Sequence, residues 1–255
     1  MRARGDGARA SGLPSLALSE VTRGYRRRSV LDAVSLTVEP GEAVGLIGPN
    51  GSGKTTLLRL AAGLLRPAAG IVAVGGLTPR QAGARGWLAY FAGGQTLPPA
   101  MPPRLWARLV AGRPLPEAPA GRIRTLSRGS RQFLGLRAAL APAQTRLLLL
   151  DEPWESLDPD ASRWLGEQVN AVTARGAGAL LSSHRMHDLA GLCQRYAVLA
   201  AGRVVIAVAA ELAPGRVVTG ADLFAFYDRA RAAAEVAGSP VPITAGRNAR
   251  ERRGH

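Results

Sequence analysis

GPNGSGKTT, residues 48–56, lies between a short apolar run, AVGLIG, and a run with helical spacing of Leu and Ala, KTTLLRLAAGLL. It matches G-x-x-x-x-G-K-[ST] through Gly48, Gly53, Lys54 and Thr55, the pattern of a loop whose backbone N–H groups turn inward around phosphates. Strand, glycine loop and helix in this order set a phosphate at a helix N-terminus, where the helix dipole favours negative charge. Asn50, Gly51, Ser52 and Thr56 complete the cradle. Lys54 reaches the terminal phosphates, and the Thr55 hydroxyl is a magnesium ligand. The chain has 33 Lys and Arg together, and Lys54 is the only lysine. A compact ammonium on a slim stem fits inside such a loop, whereas a planar guanidinium would force it open.

Working outward, RLLLLDEP (146–153) reads as a buried strand because its apolar run is unbroken. Asp151 at its end is placed to hold a magnesium shell, and Glu152 to orient or deprotonate an attacking water. Strands alternate with helices from Ala43 to Ser183, the pattern of a mostly parallel sheet covered on both faces. Residues 15–25 and 28–38 read as strands, as do 70–74, 87–92, 178–184, 196–200 and 203–208. Helices are expected over 130–141, 160–176, 185–195 and 221–237. The Pro-rich section 95–124 has room for about one helix, around 104–112. Residues 1–14 and 238–255 read as loose basic segments, 15–212 as the main domain, and 213–237 as a C-terminal helical extension.

Composition narrows the classes. Of 255 residues 47% are apolar, enough for a sizeable core. No apolar run approaches the roughly 18–20 residues that span a bilayer; the nearest, AVLAAGRVVIAVAA, is broken at Gly202–Arg203. The basic N-terminus has no apolar h-region, so the chain is expected to be cytoplasmic. The single Cys193 excludes an intramolecular disulfide. The formal charge is +15, and no acid occurs between Glu42 and Glu117. That surplus suits a nucleotide, a nucleic acid or an anionic membrane face, and arginine-rich composition alone also produces it.

These motifs together resemble the nucleotide-binding subunits of ABC transporters, over about residues 15–212. GPNGSGKTT looks like that family's Walker A, LLLLDEP like its Walker B with the catalytic glutamate, and LSRGSRQ (126–132) like its signature. SLDP with Asp158 looks like the D-loop, and SSH ending in His184 like the switch histidine. Tyr25 sits where the family stacks an aromatic on adenine. The resemblance implies an α/β fold: a RecA-like P-loop NTPase core with a mostly parallel sheet, an N-terminal antiparallel β subdomain and a helical subdomain. Here the helical subdomain is shortened to about 96–125. It implies ATP and Mg2+ as ligands, with Thr55, Gln95 and Asp151 around the metal and Lys54, Glu152 and His184 catalytic. It also implies a head-to-tail dimer in which Ser127 and Gly129 touch the γ-phosphate bound to the other subunit.

Three departures stand out. Ser130 replaces the usual signature glutamine. Gln95 falls about two residues late for the Q-loop, so either that loop is longer or Gly93 holds the position. The interval from Gln95 to Leu126 is short, where the family's lobe receives its membrane partner. The resemblance points to a peripheral subunit on the cytoplasmic face of the membrane that powers export through separate integral membrane subunits. The alternatives are a soluble ATPase of this type acting on ribosomes or nucleic acid, and a subunit that binds ATP without turning it over. Nucleic acid is disfavoured, because one nucleotide domain and no heptad run match neither of those soluble types.

Overall fold

The computed structural model describes residues 12–25, 28–115 and 118–237. The segments expected to be loose, 238–255 and all of 1–14 except 12–14, lie outside them.

Apolar residues at alternate positions build the first sheet. β1 (Leu16–Tyr25) pairs antiparallel with β2 (Arg28–Val38). Glu20 and Ala33 have φ of 50° and 48°, and the register shifts beside each, so Val21 and Val34 keep facing the core. After β3 (Ala43–Ile47) and α1 (Lys54–Ala61), β4 (Ala69–Ala73) joins the other edge of β1, in the order β2-β1-β4.

The chain continues through α2 (Pro79–Ala84), β5 (Leu88–Phe91), α3 (Pro103–Ala111), α4 (Arg128–Leu140), β6 (Leu147–Leu150), α5 (Pro159–Ala174), β7 (Gly178–Ser183) and α6 (Met186–Leu189). β8 (Arg195–Ala200), β9 (Arg203–Val208), α7 (Ala209–Leu212) and α8 (Gly220–Ala237) follow. The second sheet runs β5-β6-β7-β3-β8-β9; its first five strands are parallel, and β9 is antiparallel to β8. The architecture is the expected α/β one.

Period-two alternation along buried strands separates two cores. Leu148 and Leu150, Ala179 and Leu181, Tyr196 and Val198 face one core, which α3, α4, α5 and α8 cover. Leu147 and Leu149, Leu180, Ala197 and Leu199 face the other, shared with α1 and the antiparallel sheet. All four leucines of β6 are fully buried, so Leu→Ala at any of them costs about 2–5 kcal/mol.

Two helices are shorter than the sequence pattern suggests. α1 ends at Ala61, because Gly63 takes φ 73° and turns the chain away. The expected helix over 185–195 is one turn, α6. Ala190 leaves helical geometry at ψ 128° and Gly191 follows at φ 71°, returning the chain to the start of β8. α2 was not anticipated. It has Pro79 at its first position and a reciprocal cap between Thr78 and Gln81. In the Pro-rich section α3 is flanked by two short 3₁₀ turns, Gly94–Thr96 and Ile123–Thr125.

Candidate functional site

The parallel strands deliver their C-terminal ends to one edge of the sheet, where ligands collect in open α/β folds. β3 feeds residues 48–53, which lead directly into α1. Gly53 precedes the helix at φ 111°, a conformation closed to other residues, and no side chain caps the helix or adds an acid to its first turn. The free N–H groups at the start of α1 therefore face the loop's hollow, ready for an anion. Thr55 and Thr56 occupy that first turn, half-buried, while Asn50 and Gly51 are exposed at the tip.

Lys54 is 5% exposed. Its Nζ donates to the carbonyls of Gly48 at 2.6 Å and Pro49 at 3.2 Å, and lies 3.1 Å from Glu152 Oε1. Glu152 follows Asp151 at the end of β6. Its Oε2 accepts the backbone N–H of His184 at 3.2 Å and meets the His184 ring Nδ1 at 2.9 Å. An ionised carboxylate only accepts, so Nδ1 carries the proton toward it, which leaves Nε2 as the ring's second polar atom. Lys54, Glu152 and His184 thus form one continuous polar chain.

Glu152 has φ 46°, a left-handed conformation that costs a residue with a Cβ about 1–3 kcal/mol. Two side chains hold it. Ser182, fully buried on β7, accepts the Glu152 N–H at 2.9 Å and donates its hydroxyl to Asp151 Oδ1 at 2.8 Å. Gln132 on α4 donates to the carbonyls of Glu152 at 3.2 Å and Pro153 at 2.9 Å. Asp151 is 7% exposed. Burial, and then the Asp151 charge, push the neighbouring Tyr90 hydroxyl above its ordinary pKa, with Arg59 working in the opposite direction.

The segment that carries His184 is locked from below. Asp188 takes two hydrogen bonds from Arg185 and one from the Ser183 hydroxyl, and Ser183 accepts the Arg185 N–H. Asn50, Glu152, His184, Arg185 and Asp188 line a cleft of about 270 Å³.

Other residues singled out from sequence lie apart from this chain. Ser127 caps α4, accepting the Ser130 N–H at 3.0 Å, and its hydroxyl meets that of Ser130 at 2.8 Å. Asp158 caps α5 through Ala161 at 2.8 Å. Gly129, Ser130 and Asp158 line a separate cleft beside Phe133 and Trp164. Gly129 lies so close to this turn that a Cβ there would stand 2.7 Å from the Ser156 carbonyl. Gln95 is exposed in the 3₁₀ turn after β5 and, among the described residues, makes no hydrogen bond to Lys54, Asp151 or Glu152. Gly93 is buried at φ 93°, a geometry suited to glycine. Tyr25 is half-exposed at the end of β1 with the Arg23 guanidinium 5.1 Å from its ring. Its hairpin reaches the glycine loop through Val30, which abuts Gly53.

Sequence reading missed Ser182, Asp188 and Gln132. Ser182 and Gln132 stand in the segments SSH and LSRGSRQ, whose local pattern marks only His184, Ser127 and Gly129.

Comparison with known proteins places the chain among named relatives. The family model described as ABC transporter matches residues 31–101. The chain is 34% identical over 221 residues to "Nod factor export ATP-binding protein I" of Rhizobium meliloti, covering 77% of this chain and 65% of that protein. It is 33% identical to the protein of the same name from Paraburkholderia xenovorans, over 80% of this chain and 72% of that one. It is 31% identical to an uncharacterized ABC transporter ATP-binding protein of Bacillus subtilis, over 74% and 68%. A solved ATP-binding subunit of an ABC transporter superposes with a TM-score of 0.73 at 26% identity, covering 84% of this chain and 99% of that one.

Proposed function

The chain belongs to the ATP-binding subunits of ABC transporters, a family that hydrolyses ATP, and from that membership we propose that it powers export through separate membrane subunits. The observation that carries the reading is the polar chain Lys54–Glu152–His184 at the mouth of a glycine loop opening onto α1. A phosphate held by the loop and the first turn of α1 competes for the Lys54 ammonium and releases Glu152 from it. Glu152 then accepts the proton of an attacking water. His184, hydrogen-bonded to Glu152, keeps that carboxylate aimed, and its second nitrogen, when it too carries a proton, donates to a phosphate oxygen.

The donor set fits a magnesium ion bound largely through the nucleotide. Among the described residues no cluster of three or more His, Cys, Asp or Glu side chains is assembled for a metal. Mg2+ characteristically takes only one or two carboxylates and completes its shell with phosphates, neutral donors and water. The Thr55 hydroxyl, the Asp151 carboxylate and Gln95 would hold it, and it would neutralise developing phosphate charge. Ser182 already occupies one Asp151 oxygen, leaving the other for that task.

Two chains pair head to tail in this reading, with Ser127 and Gly129 of each completing the site of the other. The separation of the two clefts supports this, since the Gly129 cleft shares only Ser156 with the cleft at Glu152. No helix of the described residues is long and apolar enough to cross a membrane. In this reading the subunit docks at the cytoplasmic face against its membrane partners. Two of the relatives carry export in their names, which supports the direction.

The test is Glu152→Gln. The variant should bind ATP, lose turnover and accumulate as a dimer. Pulled from detergent-solubilised membranes with ATP and magnesium, it should bring down an integral membrane protein. Recovery of ribosomes or nucleic acid instead would overturn the transport reading, and wild-type turnover would remove Glu152 from the chemistry.

A further inference from the structure

We infer that Gln132 is a positioning residue that couples the signature helix α4, and the Gly93–Gly94 turn docked on it, to the catalytic glutamate; the inference rests on the ATPase reading above. The side chain is 3% exposed, and its amide joins three segments distant in sequence. Its Oε1 accepts the N–H of Gly94 at 2.7 Å. Its Nε2 donates to the carbonyls of Glu152 at 3.2 Å and Pro153 at 2.9 Å.

The contact surfaces leave little slack. A Cβ on Gly94 would stand 2.6 Å from the Gln132 backbone nitrogen, so the turn after β5 is pressed directly onto α4. At the start of the same helix, Gly129 is pressed onto the Ser156 carbonyl. α4 is therefore seated at both ends of its first two turns, with Ser127 and Gly129 at its tip and Gln132 one turn further on. A rigid helix passes a displacement at its tip to Gln132, because close-packed elements move as bodies. Glu152 receives that displacement through its own carbonyl. It sits in a strained left-handed conformation held by the side chains of Gln132 and Ser182, together with the Glu155 N–H that its carbonyl also accepts at 3.2 Å. Engagement of a phosphate by the signature and the aim of the Glu152 carboxylate are in this way one mechanical event. The turn that carries Gln95 is tied to the same amide.

Two variants of the full chain test this. Gln132→Met keeps the volume and removes all three bonds. Gln132→Glu keeps an acceptor for Gly94 N–H but sets an acceptor-only carboxylate against two carbonyl oxygens; when protonated it regains one donor. For Gln132→Met we expect kcat to fall about tenfold or more, with the dissociation constant for a fluorescent ATP analogue within about twofold of wild type. For Gln132→Glu we expect kcat relative to wild type to rise as pH is lowered from about 8 to about 6, since burial raises a carboxyl pKa into that range.

A Met variant with wild-type kcat, or one whose nucleotide affinity falls in step with kcat, overturns the proposal. If the Met variant does not fold, the Glu variant decides, and a flat pH ratio overturns it. Wild-type protein that neither binds nor hydrolyses ATP would fail the ATPase reading itself, which separates the two.

Discussion

Ser182 donates its hydroxyl to the Asp151 carboxylate across 2.8 Å, and the same oxygen accepts the backbone N–H of Glu152. One buried hydroxyl thus orients both acids at the end of β6. Removing it strands a donor and an acceptor where no water reaches, since Ser182 is 0% exposed. Ser182→Ala should cost about 1–3 kcal/mol of stability in denaturant titrations. It should also raise the magnesium concentration needed for half-maximal ATP turnover. Ser182→Thr keeps the hydroxyl and should retain most of that turnover; equal losses in both would show that packing, not the hydroxyl, matters.

Lys54 should be irreplaceable even by the chain's favoured cation. Its Nζ sits within 3.2 Å of three oxygens in a pocket with 5% exposure. A guanidinium is too broad and planar to reach all three. Lys54→Arg and Lys54→Ala should both lose nucleotide affinity by about tenfold or more in a fluorescence titration, the scale of one lost charge-assisted contact set. Unchanged affinity in either would sink the loop assignment.

Gly129→Ala separates the two halves of the proposed dimer. The added methyl would meet the Ser156 carbonyl at 2.7 Å, and that carbonyl belongs to a turn already strained at Ser156, φ 63°. Overpacking of this kind costs about 1–3 kcal/mol. Turnover should collapse while nucleotide affinity at the glycine loop stays within about twofold, because the contact lies in the other cleft.

The start of α8 should respond to acid. The Arg216 guanidinium, then the N–H and hydroxyl of Thr219, hold the Asp222 carboxyl well below the usual carboxylate range. A depressed folded-state pKa contributes stability that is complete above the unfolded value, about 3.9, and is lost as pH falls toward the folded value. Wild type should therefore exceed Asp222→Asn in stability at pH 6, and the gap should narrow below about pH 4. A gap independent of pH would assign the effect to the helix cap alone.

What the sequence disclosed follows from where each signal is written. The glycine loop, the strand ending in Asp151–Glu152 and His184 are local patterns whose chemistry depends on residue type and spacing, so they were readable before any fold. The two-sided burial of Leu147–Leu150 was readable from an unbroken apolar run. Ser182 and Gln132 were not, because their roles are hydrogen bonds across 31 and 38 residues, and a buried serine or glutamine carries no local mark of its partner. The helix expected over 185–195 failed for a related reason. Its residues favour helix, but the chain must return to β8 within a few positions, and Gly191 makes that turn. Thr78, Pro79 and Gln81 carry a start signal for α2 in the sequence, although no long apolar stripe follows it.

The solitary lysine has a practical consequence. A protease that cuts only after lysine has one target in the whole chain, the Lys54–Thr55 bond at the head of α1. That bond is sealed while the loop is closed around the buried ammonium, so cleavage reports the opening of this one place. Bound nucleotide should slow the cut by the factor 1 + [L]/Kd. Digestion followed over time would then read affinity from unlabelled protein, with two fragments as its only products.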